Sequence, residues 1–223
     1  TIVRGGGTTY GDLYLRPASS SVTGGTFVFT NVIPNTLQNY SLDVNIPLNN
    51  LTVTGAAGAG LNASLGLIVS PLVLNGTLTL SNTQSIFTSN NINVSIKGNL
   101  DNSGTYNYGT NTTTFNGDVQ VITGTSVTNF NNLNVSSANS LTVNSNFSIT
   151  QDLFIGNGTL ILGSKKITLS GNFVNNGSFT DDNTTGGISL SGSIQQLISG
   201  TGAYGKLEIN NNSGAKLNNG IMI

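Results

Sequence analysis

Between residues 141 and 169 the chain sets two apolar residues around a single intervening one, again and again. Leu141-Thr-Val143, Phe147-Ser-Ile149, Leu153-Phe-Ile155, Leu160-Ile-Leu162 and Ile167-Thr-Leu169 start six or seven residues apart. Alternation at period two predicts short strands, each with one buried face. The separators are Asn, Gly, Ser and Asp, residues that make turns: Gly takes positive φ without cost, and Asn tolerates the left-handed region. No segment shows a helical period or a capped amphipathic run, so the chain reads as all-β.

Short strands with turn signals fit two architectures. Sandwiches prefer spacings of about 8–12 residues joined by hairpins. A parallel solenoid prefers closer, even spacing, with about three strands and roughly 20 residues per coil. The spacing over 141–179 predicts a right-handed parallel β-helix, that is a β-solenoid, in preference to tandem β-sandwich modules. Spacings lengthen to about nine or ten residues over 1–50 and beyond 187, where looser coils or a sandwich module also fit. In a solenoid, Leu, Ile, Val and Phe would stack inward, and Asn at equivalent turns would form hydrogen-bonded ladders.

A longer period overlies the short one. FNGDVQVITG, residues 115–124, is echoed by LSGSIQQLISG, residues 190–200. Phe130-Asn-Asn-Leu-Asn-Val135 matches Tyr204-Gly-Lys-Leu-Glu-Ile209 and Leu48-Asn-Asn-Leu-Thr-Val53. Asn75-Gly-Thr-Leu-Thr-Leu80 matches Asn157-Gly-Thr-Leu-Ile-Leu162, and Gly98 to Tyr106 matches Gly171 to Phe179. These matches predict lead-in strands over 1–25, a repeat over 26–111, a second over 112–186 and a partial third over 187–223, in one continuous elongated domain. The first carries an insertion near 81–92, and the third stops in mid-phrase, as in a piece of a longer chain. The expected structural set is Gly117, Gln120, Ile122, Gly124, Leu133 and Val135, with Gly192, Gln195, Ile198 and Gly200 in the echo. The glycines supply turns, Val119 and Ile122 fill the core, and Gln120 caps or ladders.

Composition narrows the class. Of 223 residues 36% are hydrophobic and only 7% charged, against a usual quarter charged. Disorder pairs few aliphatics with high net charge; here the net charge is −1 and aliphatics recur throughout. Seven scattered basic residues make no nucleic-acid patch. No apolar run is as long as a helical membrane span, and the segment opening at Thr1 has no signal-peptide pattern. Without cysteine there is no disulfide framework and no thiolate metal site.

The repeated phrases resemble the repeat regions of very large Bacteroidota surface proteins, which include gliding-motility adhesins. The matching residues are Phe115, Gly117, Gln120, Ile122 and Gly124, then Phe130, Asn132, Leu133 and Val135, then Asn157 to Leu162 and Gly171 to Phe179. TGGTFVFTN at 23–31 and LNNLTVTGAAGAGLNASL at 48–65 look like the same group. The resemblance implies export by the type IX secretion system and a place outside the cell, attached at the outer membrane. It implies a rigid, multivalent attachment segment and no binding residue, because the shared pattern consists of turns and core positions.

Candidate chemistry is sparse. No His and no Cys removes every Ser-His and Cys-His arrangement, and the expectation is a non-enzyme without a cofactor. The one adjacent acidic pair, Asp181 and Asp182 in FTDDNTTGG, reads first as a solvated turn. With Asn183 it also offers oxygen ligands of the kind Ca²⁺ takes, without the spacing of a known loop. DNSGTYNYGTNTT, residues 101–113, sets Tyr108 beside Asn107 and Asn111 as candidate glycan contacts, while Tyr106 aligns with Phe179 as core. Gly5-Gly-Gly7 has no phosphate-loop context. Lys165-Lys166 reads as a solvated turn guarding an edge. Thr-x-Thr at 52–54 and 77–79 suggests a water-ordering face but does not recur at each coil. Asn-x-Ser/Thr sequons at Asn75 and Asn157 arise by chance in so Asn-rich a chain. The expected partners are surface glycans or other cell-surface polymers, further repeats or self-association, with no nucleic acid and no membrane insertion. The alternatives are a discrete carbohydrate-binding module and, behind it, a polysaccharide-degrading β-helix enzyme.

Overall fold

A computed structural model describes residues 12–31, 37–56 and 62–218. Gly5-Gly-Gly7 and the GAGL stretch at 58–61 lie outside the described residues. Strand pairing among the described residues is parallel, and no helix occurs among them. The protein is a parallel β-solenoid. Sandwiches are built from antiparallel hairpins, so the sandwich alternative fails over the described part of 12–50 and beyond 187 as well. There the coils lengthen in their loops while pairing stays parallel: Leu13 pairs with Leu42 and Phe173 with Ile198.

The chain forms two compact units, Thr1–Asn111 with Gly124–Ser126, and Thr112–Thr123 with Val127–Ile223. In the first, each coil visits three sides. One holds Thr26–Thr30, Asn50–Thr54, Leu78–Leu80 and Leu100–Asn102; the next holds Leu13–Leu15, Gln38–Val44, Ala63–Leu67, Ser85–Thr88 and Thr105–Asn107; the third holds Leu72–Leu74 and Val94–Ile96. Leu51 stacks on Leu78 and Leu78 on Leu100. Inward residues are fully buried and their neighbours face out, as in the Leu-Thr-Leu of 78–80.

In the second unit the first side holds Val119–Thr123, Ser140–Val143, Thr159–Gly163 and Ser178–Asp181. The second side holds Phe147–Ile149, Lys166–Leu169, Gly187–Leu190 and Leu207–Ile209. The third holds Thr112–Phe115, Asn132–Val135, Leu153–Ile155, Phe173–Asn175, Gln196–Ser199 and Ala215–Leu217. Leu133, Leu153, Phe173 and Ile198 stack in one inward column. Aromatic rings thread the interior: Phe130 meets Phe115 and Phe147 edge-on, and Tyr204 meets both Phe173 and Phe179. Each such side chain contributes about 1.5–3 kcal/mol by leaving water.

The long sequence period does not match the coil. Phe115 ends a third-side strand and Gln120 lies second in a first-side strand, whereas Leu190 ends a second-side strand and Gln196 starts a third-side strand. Leu133 and Val135 lie on the third side, and their sequence counterparts Leu207 and Ile209 on the second. Leu133 sits 20 residues before its stacking partner Leu153, so a repeat of about 75 residues falls one side short of four coils. The phrases are therefore portable pieces of corner and strand that work on any side of the coil.

The corner explains the wording. Gln120 turns inward and is fully buried; its Oε1 accepts from the Gly117 N–H at 2.7 Å and from the Ser137 hydroxyl at 2.8 Å. In the echo the equivalent residue is Gln196, not Gln195. Gln196 is buried, accepts from Gly192 N–H (2.8 Å) and Asn211 Nδ2 (3.0 Å), and donates to the Leu169 and Gly171 carbonyls. Gln195 is exposed, because the echo carries one more residue between its Gly and its inward Gln. Val119 is also not core: it is 64% exposed, and its counterpart Ile194 is 75% exposed. Ile122, Leu133, Val135 and Ile198 are buried as expected.

Gly124 and Gly200 close the phrase with φ of 111° and 108°. A Cβ on Gly124 would stand 2.0 Å from the Asn102 carbonyl oxygen, and one on Gly200 equally close to that of Asn175. Two residues further on, Ser126 N–H donates to the Asn102 carbonyl (3.0 Å) and Gly202 N–H to the Asn175 carbonyl (2.8 Å). Asn102 and Asn175 are the last residues of Gly-Asn-Leu-Asp-Asn and Gly-Asn-Phe-Val-Asn. The two repeated phrases recur together because the end of one packs on the end of the other.

Candidate functional site

Asn side chains do form ladders, through the backbone of the next coil rather than amide to amide. On the third side of the second unit, Asp152 N–H donates to Asn132 Oδ1 (3.1 Å), Asn172 N–H to Asp152 Oδ1 (2.7 Å) and Leu197 N–H to Asn172 Oδ1 (2.9 Å). On the first unit, Thr77 N–H donates to Asn50 Oδ1 (2.8 Å) and Asn99 N–H to Thr77 Oγ1 (3.2 Å). Each link satisfies a wall N–H that would otherwise need water, worth about 0.5–1.5 kcal/mol. Asn also supplies the left-handed turns at Asn90, Asn91 and Asn183.

The acidic pair is an internal loop clamp. Asp182 Oδ1 accepts from the N–H groups of Thr184, Thr185 and Gly186, and Oδ2 from the Thr185 hydroxyl. These donors, the Gly186 and Thr184 amides foremost, hold its carboxyl well below the usual range. Asp181 accepts from Asn183 N–H (2.7 Å) and Lys206 N–H (2.6 Å). Both carboxylates thus accept N–H groups of their own loop and the next coil, and Asn183 contributes the turn. Among the described residues no three His, Cys, Asp or Glu come together as metal ligands.

The Tyr108 cluster comes apart. Asn111 is fully buried, and its Nδ2 donates to the Ile92 carbonyl at 3.3 Å, so it is not available to a surface glycan. Asn107 is exposed and Tyr108 half-buried. Tyr106 is core, stacked on Phe87 at 5.5 Å. Thr52 and Thr79 are stacked partners, and Thr54 and Ser81 share a hydrogen bond. The next coil puts Asp101 beside Thr79, which breaks the threonine rank.

A different surface has the form of a site. On the second side of the second unit, Val127, Asn129, Asn146, Phe147, Ser148, Lys166 and Thr168 line an open groove of about 250 Å³. The register explains the grouping: Phe130 pairs with Ile149, and Phe147 with Ile167. Asn129, Ser148 and Thr168 therefore form one outward column over three coils, and Val127, Asn146 and Lys166 form the column beside it. Coils lie about 4.8 Å apart and outward residues of one strand about 6.6 Å apart. Phe147 is the buried floor, and Val127, 59% exposed, is an apolar wall. Asn129 Oδ1 accepts from Ser148 N–H and Asn146 Oδ1 from Lys166 N–H, both at 2.8 Å. Lys166 lies in a strand rather than a turn and pairs with Glu208; that bond and the lysine charge lower the Glu208 pKa.

Sequence reading missed this groove because its residues are 41 positions apart at the extremes and each is ordinary in its own strand. Once the coil length is known, the outward positions at 127, 129, 146, 148, 166 and 168 follow. The fold and these surfaces define a non-helical, parallel β-solenoid protein. No family model, no curated protein and no solved structure matches the chain.

Proposed function

We propose that this chain is a non-enzymatic structural and adhesive segment of a large secreted surface protein, acting as a stiff stalk and multivalent attachment module. The observation that carries the reading is the wall itself: strand pairing and Asx ladders run coil after coil, so the side chains with chemistry are spent on stacking. Asp152, Asp181 and Asp182 all accept backbone N–H groups in the wall or its loops, which leaves them poorly placed as general acids or bases. Nearest-neighbour stacking suits load-bearing extension, and repeated weak contacts along such a wall sum by effective concentration. The resemblance of the repeated phrases to Bacteroidota surface repeats supports a place outside the cell, at the outer membrane, reached by type IX export.

The test is labelling of intact cells of the source organism with antibodies raised against residues 12–218, beside lysed cells. Label on intact cells that is lost on protease shaving is the expected result. Label seen only after lysis overturns the reading.

A further inference from the structure

We propose that the groove over Asn129, Asn146, Ser148, Lys166 and Thr168 is a binding subsite for an acidic saccharide, one carrying a carboxylate or sulfate group. The inference rests on the adhesive reading above, and it names the ligand class of one face.

Donor geometry carries it. The Oδ1 atoms of Asn129 and Asn146 are committed to the Ser148 and Lys166 backbone N–H groups. This fixes which way each amide faces and leaves the two Nδ2 groups as oriented donors with no bond of their own among the described residues. Lys166 Nζ adds a cation, 41% of its side chain exposed, with three donors of which Glu208 takes one. Ser148 and Thr168 contribute hydroxyls that donate or accept. The groove is thus rich in donors, holds one cation, and has no carboxylate among its lining residues. Its complement is a ligand rich in acceptors with a negative charge. The Val127 wall gives an apolar surface for the C–H face of a sugar ring, and the volume of about 250 Å³ suits a small piece of a longer chain. On the next coil Lys166 is in register with Gly187. Lys166 also pairs with Glu208, so the acidic ligand and Glu208 compete for the same ammonium.

The experiment is retention of the protein on immobilised polygalacturonate and dextran sulfate, with unmodified dextran as the neutral control. Asn129→Asp with Asn146→Asp is the decisive variant. It keeps each Oδ acceptor for the backbone N–H, so the wall stays intact by circular dichroism, while two donors become negative oxygens. Binding should fall at least tenfold in this variant and in Lys166→Met, and Glu208→Gln should bind as well as the parent or better. Preference for polygalacturonate would identify a carboxylate, and preference for dextran sulfate a sulfate ester. Retention equal on dextran, or unchanged in the double Asp variant, would overturn the proposal, as would a folded parent that none of the acidic columns retains. Such a failure leaves surface labelling intact, so it is distinguishable from failure of the adhesive reading.

Discussion

Gln120 and Gln196 show how much one buried amide can do at a corner. An inward Gln with its oxygen on a local Gly N–H ties the turn to itself, and a nitrogen on carbonyls of the previous coil ties the turn to the stack. Removing Gln196 takes the side-chain partner from the Gly192 N–H and the Gly171 carbonyl, while the Leu169 carbonyl keeps the Ser191 N–H. Gln196→Ala should therefore cost about 3 kcal/mol, whereas Gln195→Ala, one residue away but exposed, should stay within about 0.5 kcal/mol. Urea unfolding of the two variants decides it. The closing glycine makes a second residue-scale prediction. Gly200→Ala combines a φ of 108° with a Cβ 2.0 Å from a backbone oxygen, and should destabilise by about 2–4 kcal/mol. Gly24→Ala meets nothing within 4 Å and should leave the melting temperature nearly unchanged. At this scale the sequence spoke clearly about the pattern and less clearly about its phase. The Gly and Gln of the phrase were visible as a signature, but the extra residue in LSGSIQQLISG moves the inward position from Gln195 to Gln196. Only the closed turn shows which one points in.

At the scale of elements, the loop after Ser178–Asp181 is held by one carboxylate. Asp182 has a depressed pKa in the folded protein, so its stabilising contribution is complete above the unfolded value of roughly 4 and is lost as pH falls through the folded value. Asp182→Asn keeps an acceptor and removes the titration. The melting temperature of the parent should drop more steeply below about pH 4 than that of the variant, and the variant should be the less stable of the two at pH 7. Equal slopes in thermal melts between pH 5 and pH 2 would show that the clamp does not depend on charge. Strands themselves were legible, because Leu153-Phe-Ile155 or Ile167-Thr-Leu169 alternates in a way that only a half-buried strand tolerates. Their assignment to sides was not legible. Matching phrases such as Phe130-Asn-Asn-Leu-Asn-Val135 and Tyr204-Gly-Lys-Leu-Glu-Ile209 serve the third side and the second, although both read as an aromatic, a Leu three places on and an aliphatic residue two further.

For the molecule as a whole, stability should grade from buried coil to covering edge. Leu133, Leu153 and Phe173 are fully packed between neighbours, whereas the inward positions of the last described coil, Ile209 and Leu217, are 60% and 47% exposed. Native-state amide exchange should be slowest in Asn132–Val135, Leu153–Ile155 and Phe173–Asn175 and fastest, by orders of magnitude in protection, in Leu207–Ile209 and Ala215–Leu217. Uniform protection across these strands would mean that the second unit opens only as a single cooperative block.

The sequence by itself determined that this protein is all-β, that its strands are short, and that its turns are made by Gly and Asn. Those properties are local: a two-residue period and the φ preferences of particular residues need no distant partner. Tertiary structure decided what depends on the length of a coil. It set which repeated phrase meets which, put Asn111 in the core rather than on a glycan site, and wrapped Asp182 in its own loop's N–H groups. It also gathered Asn129, Asn146 and Lys166 into one groove, because residues some twenty positions apart become neighbours only when the coil closes and the register is fixed.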